Sequence, residues 1–502
     1  MINAYHPGNS EEIKMDNSFF GLSLVEENSH CRMKKRRVGL FWMVTVAALF
    51  LSGGKLCGGA AAAEPFRIQL LDQENQWPVP LMQLKTVDNV SYVTDNAGVI
   101  AFNEPDLMEK EVWFNISGHG YGVPADGFGY RGVRLKPIPG ETAIVKVERQ
   151  MIAQRVGRLT GSGLLAESQK CGLYPEWRDT GVLGCDSVQT ALYQGKVFWA
   201  WGDTSLANYP LGIFHTSAAV TELPTYEKPF PAQPPLMPYF ELFRDGEEIP
   251  CGVAPMPGEG PTWLSGMLTL KNAQGNEKLC AVYSKIKEFL TPYEKGLCVW
   301  SDEKKQFERV RVIWKRSSEQ PMRLFPEGHP VYWKDEKGKD WILFGDPLPR
   351  LKCPASYEAW LDTNSWEKIE SPMALPDAEN PEQQVRLHSG SIQWSGYLKR
   401  WVGVFVQNGG NPSELGEVWY TEAESPFGPW SPAIKILTHQ RYTFYNPRLH
   451  PELVPADSPY LLFEGTYSKQ FSSEPVATPR WDYNQVLYRL DLDDVKSKRS
   501  EE

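Results

Sequence analysis

Cysteine is scarce in this chain, eight among 502 residues, and no two are spaced as a C-x-x-C pair. That excludes the common structural zinc frameworks. Positive charge is in deficit, with 52 Lys and Arg against 62 Asp and Glu, a net charge of -10 and a pI near 5.5. A phosphate backbone needs a clustered positive field, so no nucleic-acid partner is expected. The apolar run from Val38 to Leu51 is short for a membrane helix. H-E-x-x-H, G-x-S-x-G, phosphate-loop and S-x-D-x-G-x-x-W motifs are all missing. Helical repeats of 33 or 34 residues and a Trp-Asp repeat are missing as well, which weighs against helical solenoids and seven-bladed forms.

What the chain does have is turns and rings: Gly 42, Pro 40, Trp 18, Tyr 21 and Phe 22. This mixture, in a globular composition too long for one ordinary domain, predicts many short strands. Arg32, Lys34, Lys35, Arg36 and Arg37 precede the Val38–Leu51 run, and Ala60–Ala63 supply small residues before Glu64. The order is that of a secretory signal with cleavage near Ala63, and Met33 is an alternative start. The expected location is secreted or periplasmic with no membrane contact after cleavage; the alternative is an anchor left uncleaved. Six cysteines follow Ala63, among which Cys171 with Cys185 is the pairing weighed against buried free thiols.

Between Phe66 and Val147, short alternating runs (IQLL, LMQLKTV, SYVTD, GVIAF, EVWFNISG, AIVKVER) are separated by turn residues, the pattern of a small antiparallel β-sandwich. The stretch from Pro78 through Tyr92-Val93-Thr94-Asp95 and Gly98 to Phe102, followed by Gly118-His119-Gly120-Tyr121, resembles the transthyretin-like sandwiches found beside secreted bacterial enzymes.

After Arg158 a repeat of about 60 to 80 residues emerges. Asp186-Ser187-Val188 turns at Gln194-Gly195 and returns as Val197–Trp201 into Gly202-Asp203-Thr204. Gly328-His329-Pro330-Val331 turns at Lys337-Gly338 and returns as Trp341–Phe344 into Gly345-Asp346-Pro347. Both the Asp186–Asp203 and the His329–Asp346 spacings are 17 residues. Looser copies run from Trp263 to Ser284, His388 to Gln407 and Tyr445 to Glu464, and aromatic arms follow at Leu297–Trp300, Tyr357–Leu361, Glu417–Thr421 and Val486–Leu490. The reading is all-β, a five-bladed β-propeller preceded by a sandwich: 1–63 extension and signal, 64–155 sandwich, 160–495 propeller.

In a propeller the start of each blade's first strand and the end of its second lie on one face. The repeat therefore gathers Asp186 and Asp203, Ser284 and Lys285, His329 and Asp346, His388 and Gln407, and Asn446 and Glu464 around one mouth. Glycoside hydrolysis asks for a protonated acid and a second carboxylate about 5 to 10 Å apart, and neighbouring carboxylates drive their pKa values apart. Asp186 and Asp203 lead as catalytic candidates, with Glu464 or Asp346 assisting. His329, His388, Asn446, Arg448, Trp201, Trp263 and Tyr445 are candidates for substrate binding. Plainer roles stand beside these: Asp203 as a turn cap, the histidines as inter-strand donors, Glu464 as an ion-pair partner of Arg448.

Cys185-Asp186-Ser187 with Trp201-Gly202-Asp203-Thr204, and the closing Asn-Pro and Tyr-Arg-Leu pieces, resembles the five-bladed bacterial glycosidase-like proteins that include endo-D-arabinanases. Cys185 and Ser187 depart from that pattern. The resemblance implies an exported glycoside hydrolase-like protein whose partner is a polysaccharide or oligosaccharide, with no required cofactor and a calcium ion considered near His329. A carbohydrate-binding or scaffold propeller without turnover is the alternative. Oligomeric state is left open.

Overall fold

A computed structural model describes residues 64–500 apart from 162, 179, 226, 229, 232, 237–239, 246–248, 289 and 318–321. The signal segment expected over 1–63 lies outside the described residues.

Alternation builds the N-terminal part. Phe66–Asp72 buries every second residue, as a strand with one face on a core must. Val99–Phe102, Phe66–Asp72, Thr142–Arg149 and Tyr121–Gly122 form one sheet; Ser91–Val93, Gln83–Thr86, Val112–Ser117 and Gly132–Leu135 form the other. Ile68, Leu70, Phe102, Phe114 and Val147 fill the space between. One ladder differs from the antiparallel expectation: Phe66–Asp72 runs parallel to Thr142–Arg149.

Beyond two small sheets, Val182–Cys185 with Thr204–Leu206 and Tyr209–Ile213, and Arg244–Asp245 with Ile249–Pro250, five larger sheets follow in chain order among the described residues. The first contains Gln189–Tyr193, Lys196–Trp201, Ser217–Glu222 and Glu241–Leu242; the second, Thr262–Lys271, Glu277–Lys287, Thr291–Ser301 and Gln306–Lys315. Val331–Lys334, Asp340–Gly345, Pro349–Pro354 and Glu367–Lys368 make the third. The fourth has five strands, from Ala374–Pro376 through Gln384–Ser395, Arg400–Gln407 and Val418–Ala423 to Ile434–Leu437. The fifth pairs Thr443–Leu449, Tyr460–Ser468 and Asn484–Asp491 with Gln154–Arg158, a strand from the other end of the chain.

The second strands are buried on both faces, Arg400–Gln407 and Tyr460–Ser468 almost without interruption, because each sheet packs against two neighbours. Five separate apolar cores lie between consecutive sheets. Phe198 and Ala218 meet Met267 and Tyr283; Leu268 and Val282 meet Ile342 and Phe344; Val331 and Leu348 meet Ile392 and Phe405; Val404 and Tyr420 meet Phe444 and Tyr488; Leu462 and Leu487 meet Trp199 and Trp201. The last core joins fifth sheet to first, so the series closes into a propeller.

Two local expectations are corrected. Tyr357–Leu361, read as a strand arm, is a short helix: the Ser356 side chain caps it by accepting from Ala359 N at 3.2 Å, and Trp360 is its buried anchor. The third strand of that blade is Pro349–Pro354 instead. Cys171 and Cys185 are both free thiols, and they pack into different apolar clusters.

The sandwich is tied to the ring through buried polar contacts. Asn96 accepts from Arg158 N at 2.9 Å and donates to the carbonyls of Arg158 and Leu236 at 3.0 and 2.9 Å. Arg155, almost fully buried, donates to the carbonyls of Pro80 and His119. His119 itself lies edge-on to His439, Tyr442 and Tyr467 of the propeller.

Candidate active site

The mouth begins with one reciprocal backbone contact. Asp186 N donates to Asp203 O at 3.2 Å and Gly202 N donates to Asp186 O at 2.7 Å, which sets the two aspartates side by side although they are 17 residues apart. Gly202 is required there: a Cβ at that position would stand 1.9 Å from Asp186 Oδ1. The adjacent hairpin is held by Thr204, whose backbone pairs with Cys185 and whose hydroxyl meets Ser217 Oγ at 2.7 Å.

The two carboxyls have different surroundings. Asp186 Oδ2 accepts from Tyr445 Oη at 3.0 Å. Burial pushes the Asp186 carboxyl up, while the hydroxyls of Tyr483 and Tyr445 pull the other way by favouring the charged form. Asp203 is pushed up to about 7, by burial first and by the charge of Asp186 second, with Trp263 opposing. Its Oδ1 is buried without a hydrogen-bond partner. Asp203 therefore keeps its proton to a higher pH than a free carboxyl does, and Asp186, also raised by burial, differs in accepting the Tyr445 hydroxyl, which favours its charged form.

Asn446 joins this group, sitting in the left-handed region at φ 51°. Its side chain donates to Ser187 Oγ at 2.7 Å and its backbone N to Ser389 Oγ at 3.1 Å. His388, adjacent to Ser389 and 3.2 Å from its hydroxyl, is lowered to about 4 by burial, so it is a neutral imidazole at the same edge. Asp346 lies one junction away. Its Oδ1 accepts from Gly390 N at 2.7 Å, and burial pushes its carboxyl up to about 6, with Glu327 adding to the rise and Arg350 opposing it.

Glu464, Arg448 and His329 belong to a second, deeper cluster. Glu464 is 0% exposed, and its partner is His450, whose Nε2 is 3.0 Å from Glu464 Oε1. Arg448, the partner considered from sequence, lies across the ladder from Glu464 but forms its ion pair with Glu452 at 2.7 Å. Thr190 donates to the same Glu452 oxygen. Burial alone would keep the His450 ring neutral, yet Glu452 and Glu464 raise it. His329 is lowered well below its ordinary value by burial and then by the Arg448 charge.

Among the described residues no three His, Cys, Asp or Glu side chains gather as a metal site. The surroundings of His329, with Arg448 and His450 among them, do not fit the calcium ion considered there, and no role is derived for one. Trp201 is also corrected: at 1% exposure it stacks on Trp199 and packs against Phe240, a core residue rather than a sugar platform. Trp263 is half-buried beside Asp203. Tyr445 is buried and contributes its hydroxyl. Tyr483, His450 and Glu452 were missed in the sequence; the one signal for the last two was charge crowded into His450-Pro451-Glu452 after an apolar strand.

No family model matches the chain, and no curated protein matches it. Solved structures similar to it include an exo-β-1,3-galactanase from Phanerochaete chrysosporium, at 8% identity over 62% of this chain and 62% of that one, TM-score 0.38. An exo-1,5-α-L-arabinanase from a bovine ruminal metagenomic library is similar at 11% identity over 62% and 94%, TM-score 0.36. An N-acetylgalactosamine deacetylase from F. plautii is similar at 9% identity over 63% and 91%, TM-score 0.37. Likeness this weak carries no conclusion about chemistry.

Proposed function

We propose that the protein is a glycoside hydrolase acting on a polysaccharide or oligosaccharide at the propeller mouth. One observation carries this reading: Asp186 and Asp203 are neighbouring carboxyls, both raised by burial but in unlike environments, one accepting the Tyr445 hydroxyl and the other at about 7 with an unpartnered oxygen. That is the division of labour glycoside cleavage needs.

Asp203 gives its proton to the leaving glycosidic oxygen as the C1–O bond breaks. Asp186, ionised, acts on the opposite side as the base that takes a proton from water or as the nucleophile at C1. Asn446 and neutral His388 supply hydrogen bonds to sugar hydroxyls, and Trp263 offers a ring beside the acid. Asp346 assists by its position at the neighbouring junction. Glu464 belongs, in this reading, to the charge network of His450 and Glu452 rather than to proton transfer. Together with the charged, apolar and small-residue order of residues 32–63, the proposal places the activity outside the cytoplasm.

The test is reducing-sugar release from a panel of plant, algal and microbial polysaccharides by the wild type and by Asp203→Asn. Release by the wild type and its loss in the variant supports the proposal. Binding of a glycan by folded protein with no sugar released would favour the non-catalytic propeller, and full hydrolysis by Asp203→Asn would remove the acid assignment.

A further inference from the structure

One ring at the mouth faces solvent. Phe471 is 46% exposed and sits in the left-handed region at φ 57°, which strains a bulky L-residue. Among the described residues its aromatic neighbour is Tyr445, approached edge-on at 5.8 Å, and Tyr445 is the donor to Asp186. The exposed ring is thus a single side chain removed from the candidate carboxylate.

The backbone beneath it is held on both flanks. Thr443 Oγ1 donates to Gln470 O at 2.6 Å, Lys469 N to Asp482 Oδ1 at 2.6 Å and Ser472 Oγ to Lys469 O at 2.6 Å. The same connection is anchored further along where Thr478 N donates to Tyr442 Oη at 3.1 Å. A fixed, strained, solvent-facing aromatic is what a preorganised binding surface requires, since little entropy is lost when a ligand meets it. A mobile loop tip would place a small or polar residue there.

We infer that Phe471 is a sugar-stacking platform, a specificity-determining residue of the subsite adjoining Asp186, and that the ring it takes is a pyranose. A flat phenyl face without a polar group matches the contiguous C–H face of a pyranosyl unit, and it offers nothing to hydroxyls. The hydroxyls are met instead from the Asn446 and His388 side. The inference rests on the hydrolase reading only for which bond is cut; the platform itself is a statement about binding.

The experiment is calorimetric titration of the full chain with cellohexaose, xylohexaose, β-1,4-galactohexaose and α-1,5-arabinohexaose, for the wild type, Phe471→Ala and Phe471→Trp. Kinetics follow on any oligosaccharide that is cleaved. Loss of one stacking contact predicts about tenfold weaker binding of a pyranosyl hexamer in Phe471→Ala, a KM raised by a similar factor with kcat falling less, and recovery in Phe471→Trp. Because the side chain is solvent-facing, the melting temperature of Phe471→Ala stays near that of the wild type. Equal affinity in Phe471→Ala, preference for the arabinofuranose hexamer, or no binding of any hexamer by the folded wild type overturns the platform. Binding that depends on Phe471 without sugar release leaves the platform standing and removes the hydrolase reading; release that is indifferent to Phe471 does the reverse.

Discussion

Tyr445 of the fifth blade donates its hydroxyl to Asp186, which precedes the first strand of the first blade, at 3.0 Å. The contact favours the charged form of Asp186 against the burial that raises it. Tyr445→Phe keeps the ring and removes the hydrogen bond. A hydrogen bond to a charged group is worth about 1.5–3 kcal/mol, or about 1 to 2 pH units. The acidic limb of the kcat/KM profile is expected to move up by that amount, since Asp186 must be ionised. An acidic limb that stays in place while activity falls would mean Tyr445 acts otherwise.

Asp203→Asn is expected to lower the rate by about 10²-fold or more, the usual contribution of a general acid. It also removes the alkaline limb. Asp203 is raised to about 7, so wild-type activity falls as pH rises through that value and the acid loses its proton.

The same residue sets a stability signature of definite sign. A carboxyl raised in the folded state binds its proton more tightly there than in the unfolded chain, so stability is full below the unfolded value near 4 and declines as pH rises toward 7. Asp203→Asn abolishes this decline. Its melting temperature is expected to exceed that of the wild type at pH 8 and to match it near pH 4; scanning calorimetry at the two pH values decides.

His119 and His439 respond to acid. Burial lowers His119 well below its ordinary value and lowers His439 to about 3. Unfolded histidine takes its proton near 6.5, so the folded chain loses stability as pH falls from about 6.5 toward 3. His119→Phe keeps the ring among His439, Tyr442 and Tyr467 and removes one titrating group. The slope of melting temperature against pH below 6 should flatten, and an unaltered slope would assign the acid sensitivity elsewhere.

Asn96→Ala leaves the Arg158 N–H and the Arg158 and Leu236 carbonyls without their buried partner. With each stranded group costing about 1–3 kcal/mol, the denaturant midpoint is expected to fall clearly, and proteolysis should open the sandwich–propeller junction first.

Alternation and turn residues made the strands legible because period-2 burial is local: Phe66–Asp72 reads from seven residues alone. The paired spacing of Asp186–Asp203 and His329–Asp346 was legible because hairpins of equal length repeat. Tyr357–Leu361 misled, since rings suit both a strand and a helix anchored by Trp360; the cap at Ser356 was the better signal. Trp201 misled because a strand buried on both faces leaves no side facing the mouth. Tyr483 was invisible because its tie to Asp186 spans nearly the whole propeller in sequence, and nothing local marks a contact made only when the first and last blades meet. The charge network of His450, Glu452 and Glu464 was likewise divided between a 3-10 turn and the strand that follows it.

That meeting has a kinetic side. The strand Gln154–Arg158 is made long before its partner Asn484–Asp491, so the ring cannot shut until that second strand has emerged. Long-range pairing of this kind is slow to form. The Tyr445–Asp186 and Asn446–Ser187 contacts lie on that same seam. A nascent chain, or one cut before Thr443, would therefore carry both aspartates without the environment that makes them differ, and competence arrives with the closing of the fifth blade, as a single late event.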